Sequence, residues 1–75
     1  MVHFTNITFD DEWVYADVYD RDNKVSGKVK VHRIEEVVIT DCKVKYQVVK
    51  ASWAVVRDVN SGKIKQNGER MVAWG

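Results

Sequence analysis

Trp13-Val14-Tyr15-Ala16-Asp17-Val18-Tyr19-Asp20 and Val25-Ser26-Gly27-Lys28-Val29-Lys30-Val31-His32 decide the fold. In the first stretch Val14, Ala16 and Val18 alternate with Trp13, Tyr15, Asp17 and Tyr19. In the second, Val25, Gly27, Val29 and Val31 alternate with Ser26, Lys28, Lys30 and His32. A period of two sends neighbouring side chains to opposite faces, so Glu12–Asp20 and Val25–Arg33 are expected to be strands, each half in a core and half in water. The segment between them, Asp20-Arg21-Asp22-Asn23-Lys24, is polar and rich in turn formers. If Asp20 pairs with Val25, then Val18 faces Gly27, Ala16 faces Val29 and Val14 faces Val31. The opposite face then sets Tyr19 against Ser26, Asp17 against Lys28, Tyr15 against Lys30 and Trp13 against His32. One register collects every small aliphatic on one side, as a hairpin with a single buried face requires.

Working outward, Phe4–Phe9 alternates imperfectly and is expected to be a strand ending at Asp10-Asp11. Glu36–Thr40 fits a strand, or a helical turn beginning at Ile34. The strand is preferred because Asp41-Cys42 makes a tight turn into Lys43–Val49, with Ile39 opposite Val44 and Val37 opposite Tyr46. Beyond Val48-Val49 the alternation changes parity, which a β-bulge or a strand passing between sheets would produce. Asn60-Ser61-Gly62-Lys63 and Gln66-Asn67-Gly68-Glu69 are turn signals, and Arg70–Trp74 closes the chain as a last strand. The expectation is one all-β domain over residues 1–75. It would be an antiparallel meander of five to seven short strands, forming a small barrel, a strongly curved sheet or a sandwich.

Composition agrees. Fifteen of the 75 residues are Val, Leu and Pro are absent, and Ala occurs only four times. Valine's stiff first torsion suits a pleated strand better than a helix. A chain of this length buries only about 60% of its unfolded surface, and one cysteine with two histidines supplies neither a disulfide nor a structural zinc site. Association is the remaining common supplement to so thin a core. No apolar run approaches the roughly 20 residues of a membrane span. The start, Met1-Val2-His3-Phe4-Thr5-Asn6, lacks the pattern of a secretory signal, so a soluble cytoplasmic protein is expected and Asn6-Ile7-Thr8 is read as a chance glycosylation match.

The residues that could carry catalysis do not assemble into a motif. Asp10-Asp11-Glu12 are consecutive and would alternate sides on a strand. Asp20, Asp22 and Asn23 resemble the opening of a calcium loop, but Val25 stands at the position that needs glycine and no Glu closes the loop. His3 and His32 are too few for a transition-metal site. Cys42 has no neighbouring histidine to activate it and fits a small semi-buried apolar role. Ser26, Ser52 and Ser61 sit in no nucleophile motif, and Ser61-Gly62-Lys63 lacks the upstream glycines of a phosphate loop. Neither a catalytic activity nor a cofactor is expected.

The surface carries more. Residues 1–22 hold six acids and one base, and residues 23–75 hold five acids and eleven bases. Complementary pairing across a sheet, Asp17 with Lys28 for example, accounts for this split; a bipolar molecule steering to a charged partner is the sharper alternative. Lys28-Val29-Lys30, Lys43-Val44-Lys45 and Lys63-Ile64-Lys65 repeat one pattern. On adjacent strands, these six lysines with His32 and the nearby rings would form a face suited to single-stranded nucleic acid. Near-neutral net charge weighs against that. The stripe Trp13, Tyr15, Tyr19, with Asp17, is either covered by the C-terminal strands through Trp53 or Trp74, or left exposed as a contact patch. The expected function is therefore a non-catalytic protein acting by protein–protein contact. It would associate with itself, as a homo-oligomer, or dock on and block a larger partner, as small phage and mobile-element proteins do. A single-stranded nucleic-acid binder is the alternative.

Overall fold

The alternating stretches become neighbouring strands. The structure, a computed structural model, describes residues 1–35 and 37–73. Its elements in chain order are β1 (Val2–Phe9), β2 (Trp13–Asp20), β3 (Val25–His32), β4 (Val38–Thr40), α1 (Lys45–Asn60) and β5 (Gly68–Val72). The strands form one antiparallel sheet in the order β4-β3-β2-β1-β5. Pairing between β2 and β3 follows the register expected from the hydrophobic pattern at all eight positions, from Trp13 with His32 to Asp20 with Val25.

Two expectations are corrected. The sheet is open, with β4 and β5 as its edges, and is not closed into a barrel. The fold is mostly β, but Lys43–Val49 is no strand: Lys45 begins a 16-residue helix, so Ile39 and Val37 pair along β3 with Lys30 and His32 instead of meeting Val44 and Tyr46. The change of parity at Val48-Val49 marks a period of 3.6. Val48, Ala51, Ser52, Val55, Val56 and Val59 recur three and four apart and are the buried face of α1. Five valines lower helix propensity by no more than about 0.7 kcal/mol each. Burying Val48, Val55, Val56 and Val59 returns roughly 1.5–3 kcal/mol apiece, so tertiary packing overrides the local preference.

Local chemistry ends each element. Asp41 Oδ1 accepts from the Lys28 amide (2.8 Å), standing where the next backbone partner of β3 would be, and the chain turns away toward α1. Gly27 is needed just there: a Cβ on it would lie 2.9 Å from Cys42 Cβ and 3.0 Å from Cys42 Cα. The helix stops where Gly62 takes a left-handed φ of 80° and its N–H donates to Val59 O. Arg33 ties this end to the sheet, donating from Nε to Asn60 Oδ1 and from Nη1 to Asp10 O.

α1 lies over one face of the sheet, where Val2, Phe4, Ile7, Val14, Val18, Val31 and Cys42 are buried beside its valines. Asn6, at φ 51°, sits in a bulge of β1 where the register shifts. The extra residue lets Phe4 and Ile7, three apart, both face the core, which accounts for the imperfect alternation of this strand. Asp20 is fully buried at the end of β2, its Oδ1 accepting from the amides of Asp22 and Asn23 and its Oδ2 from Asn23 Nδ2. The residues that resembled a calcium loop are thus a turn closed by its own carboxylate.

Candidate functional site

With α1 on the inner face, among the described residues no element covers the outer face of the sheet. The β2–β3 register sends Trp13, Tyr15, Asp17 and Tyr19 to it, beside His32, Lys30, Lys28 and Ser26. Tyr15 and Tyr19 are exposed and Trp13 is half-buried. Trp53 does not cover them: it lies on α1 and packs against the core on the other side. Trp74 lies outside the described residues.

The side chains form cross-strand groups. Trp13 meets the His32 ring edge-on, centroids 4.8 Å apart, and Lys30 Nζ sits 4.2 Å from the centre of the Trp13 ring and 5.8 Å from that of Tyr15. The Tyr15 hydroxyl donates to Asp10 Oδ2 (3.1 Å), while Asp10 Oδ1 takes the amides of Trp13 and Glu12. Those two backbone bonds hold the Asp10 carboxyl below its ordinary range, and desolvation with the bond to Asp10 pushes the Tyr15 phenol up. One strand position further, Asp17 accepts from Asn6 Nδ2 (2.9 Å) and pairs with Lys28 Nζ (3.2 Å), both of which lower its pKa, Asn6 more strongly. The Asx bulge residue of β1 therefore also orients a carboxylate of the outer face.

Of these groups, Tyr15, Lys30, Asn6, Asp17 and Lys28 line a shallow groove of about 540 Å³ running across the strands. One wall is Thr8, Tyr15, Lys30 and Ile39; the other is Asn6, Asp17, Lys28 and Asp41. The first side sets the Tyr15 ring and the Ile39 side chain beside Thr8 and the Lys30 ammonium; the second holds the hydrogen-bonded Asn6–Asp17–Lys28 group and Asp41. Toward the opposite edge the face continues through His3, which lies 3.4 Å from Glu69, to the exposed Met71.

The lysine face divides. Lys28, Lys30 and His32 share the outer face. Lys43 and Lys45 stand at the start of α1, and Lys63 and Lys65 in the connection between α1 and β5, so the structure does not gather the six lysines on one sheet. Their local lysine-aliphatic-lysine pattern is the same in all three places, but only Lys28-Val29-Lys30 is a strand. Cys42 is buried and unpaired, as its apolar reading requires. Among the described residues no group of three or more metal-ligating side chains converges, and no helix is long and apolar enough to cross a membrane.

Sequence reasoning did not find Asn6, Thr8, Asp10 or Ile39 as members of the face. The broken alternation of β1 signals Asn6; nothing comparable signals Ile39, whose pattern pairs as well with Lys43–Val49 as with β3. Compared with protein-family models, curated proteins and solved structures, the chain finds no match in any of the three.

Proposed function

We propose that this is a non-catalytic binding protein whose outer sheet face docks on a larger protein partner and blocks it. The observation that carries this is the uncovered row of Trp13, Tyr15 and Tyr19, held rigid on two paired strands and interleaved with charges that already have partners. Rigid aromatics with a polar handle combine large contact area with little ordering entropy, which is the composition of interface hot spots. Asp17–Lys28 and Asp10–Tyr15 give such a face a defined polar pattern for a partner to complement. Blocking, as opposed to mere binding, is the reading of a shallow, rigid face: a partner docked on it has the contacted part of its own surface covered.

Lys30 poised over two rings favours a second reading, single-stranded nucleic acid stacked on the open sheet. Against it, the face holds Lys28 and Lys30 beside Asp10, Asp17 and Glu69, and the remaining lysines lie elsewhere, so no continuous cationic track follows a phosphate backbone.

Affinity capture from a lysate of the source organism, with and without nuclease, tests the two together with oligonucleotide titrations at low and moderate salt. Protein retained in both lysates, with no salt-sensitive quenching of tryptophan fluorescence by oligonucleotides, is the expected result. Retention abolished by nuclease, or salt-sensitive oligonucleotide binding, overturns it in favour of nucleic acid.

A further inference from the structure

We propose that the β4 edge pairs with the same edge of a second copy of this chain, in an antiparallel two-fold contact centred on Ile39. Ile39 also lines the groove of the outer face, but the contact is made along the β4 edge and not by the row of Trp13, Tyr15 and Tyr19. Ile39→Lys therefore reads it separately from substitutions at Tyr15 and Tyr19, which test the docking function.

The backbone points to it first. His32 N donates to Val37 O, and β3 and β4 pair Lys30 with Ile39. Hydrogen bonding alternates along an antiparallel ladder, so the peptide groups of Val37 and Ile39 turn toward β3 and those of Val38 and Thr40 turn outward from the sheet. β4 is an edge strand, with no strand beyond it among the described residues. Two outward-facing residues, two positions apart, are self-complementary about a two-fold axis through Ile39. Val38 of each copy then exchanges both of its bonds with Thr40 of the other, giving four hydrogen bonds. Shifting the axis to Val38 or Thr40 leaves two within the strand.

The side chains agree. Val37-Val38-Ile39-Thr40 carries no charge, and Ile39 and Val37 are 55% and 43% exposed. Proteins commonly guard edges with charged side chains. The opposite edge, β5, has Glu69 and Arg70, whereas β4 has none. In the two-fold contact Ile39 lies directly against its symmetry mate at a non-hydrogen-bonded position, where opposed side chains come closest and β-branched pairs are favourable. A charge there would face itself across the axis, so an uncharged centre is what a self-contact requires. A strand-edge contact this short sits at the low end of interface sizes, so dissociation in the micromolar range or weaker is expected.

Sedimentation equilibrium of the full chain, from about 1 μM to 1 mM, reads the result directly. The expected mass rises with concentration from 8.7 kDa to twice that value. Ile39→Lys weakens association by about tenfold or more, whereas Tyr46→Lys, at an exposed site on α1, leaves it unchanged. Ile39→Cys under mild oxidation gives a covalent dimer, which keeps the proposal testable if the lysine variant fails to fold; Cys42 is buried and stays out of the reaction. A chain that remains at 8.7 kDa throughout overturns the proposal, including where a foreign extended peptide is found bound at β4. So does a dimer that survives Ile39→Lys, or an Ile39→Cys variant that forms no cross-link.

Discussion

Lys30 holds its ammonium 4.2 Å from the centre of the Trp13 ring, one strand away. The two are diagonal neighbours across β2 and β3, since Trp13 lies opposite His32 and Tyr15 opposite Lys30. His32 closes the other side of the indole edge-on. The ring is therefore pinned by two neighbours at the end of the hairpin, and its exposed part is presented in a fixed orientation to whatever meets the face.

Lys30→Met keeps the aliphatic stem and removes the charge. It is expected to lower stability by about 0.5–1 kcal/mol, the usual worth of an exposed cation–π contact. Urea denaturation followed by tryptophan fluorescence measures this, and the folded-state emission should shift as Trp13 loses its cation. An unchanged midpoint and spectrum would show that the lysine is not on the ring.

Acid should weaken the fold in one definite window. The carboxyls of Asp10, Asp17 and Asp20 all lie below their ordinary value of 3.8 in the folded chain. For Asp20 the Asn23 side chain is the largest cause; for Asp10 it is the Trp13 amide and for Asp17 the Asn6 amide group. A depressed folded pKa gives stability that is fully present above the unfolded value and lost as pH falls through the folded one. The thermal midpoint should therefore be nearly flat from about pH 7 to 5 and fall below about pH 4. Asp20→Asn should flatten part of that fall.

Gly27→Ala tests the close approach at the end of the β3–β4 pairing. The added methyl would sit 2.8 Å from Asp41 Oδ1 and 2.9 Å from Cys42 Cβ, with Cys42 Cα at 3.0 Å. Since Cys42 is fully buried, the neighbour cannot swing aside, and a loss of roughly 1–3 kcal/mol is expected, as for overpacked cores. A neutral effect would mean that the chain leaves β4 along another path.

The helix makes a contrasting pair. Val55→Ala removes two buried carbons from the face of α1 that meets the sheet, with an expected loss of about 2 kcal/mol. Lys50→Ala, exposed on the same helix, should change stability by less than about 0.5 kcal/mol. Were residues 45–60 a strand, the two substitutions would not separate along a period of 3.6. Chemical denaturation of both variants decides it.

The hairpin was legible because it obeys one period without interruption: Val14, Ala16 and Val18 against Val31, Val29 and Gly27 admit a single register. The turns at Ser61-Gly62 and Gln66-Asn67 were legible for a similar reason, since Gly62 and Asn67 take the left-handed φ values that such residues tolerate. The helix was not. Its valines read as strand by propensity, and Lys43-Val44-Lys45 imitates alternation for three residues. Only the spacing of Val48, Ala51, Val55 and Val59 over about three turns reveals the longer period. Read as alternation, that segment puts Lys43 and Lys45 on a sheet that they do not join. The aromatic stripe was placed correctly on its face by register alone, but whether it is covered depended on where the C-terminal half goes, which is set by tertiary packing of α1.

The claim on which the function rests is that the protein works through the outer face of β2 and β3. Titrating a partner retained in the capture into ¹⁵N-labelled chain, and following amide shifts residue by residue, tests it most directly. Shifts concentrated on Trp13, Tyr15, Asp17, Tyr19, Lys28 and Lys30, and abolished when Tyr15→Ser and Tyr19→Ser are combined, are the expected result. Shifts confined to the exposed side of α1, with the double variant binding as the wild type does, would contradict it.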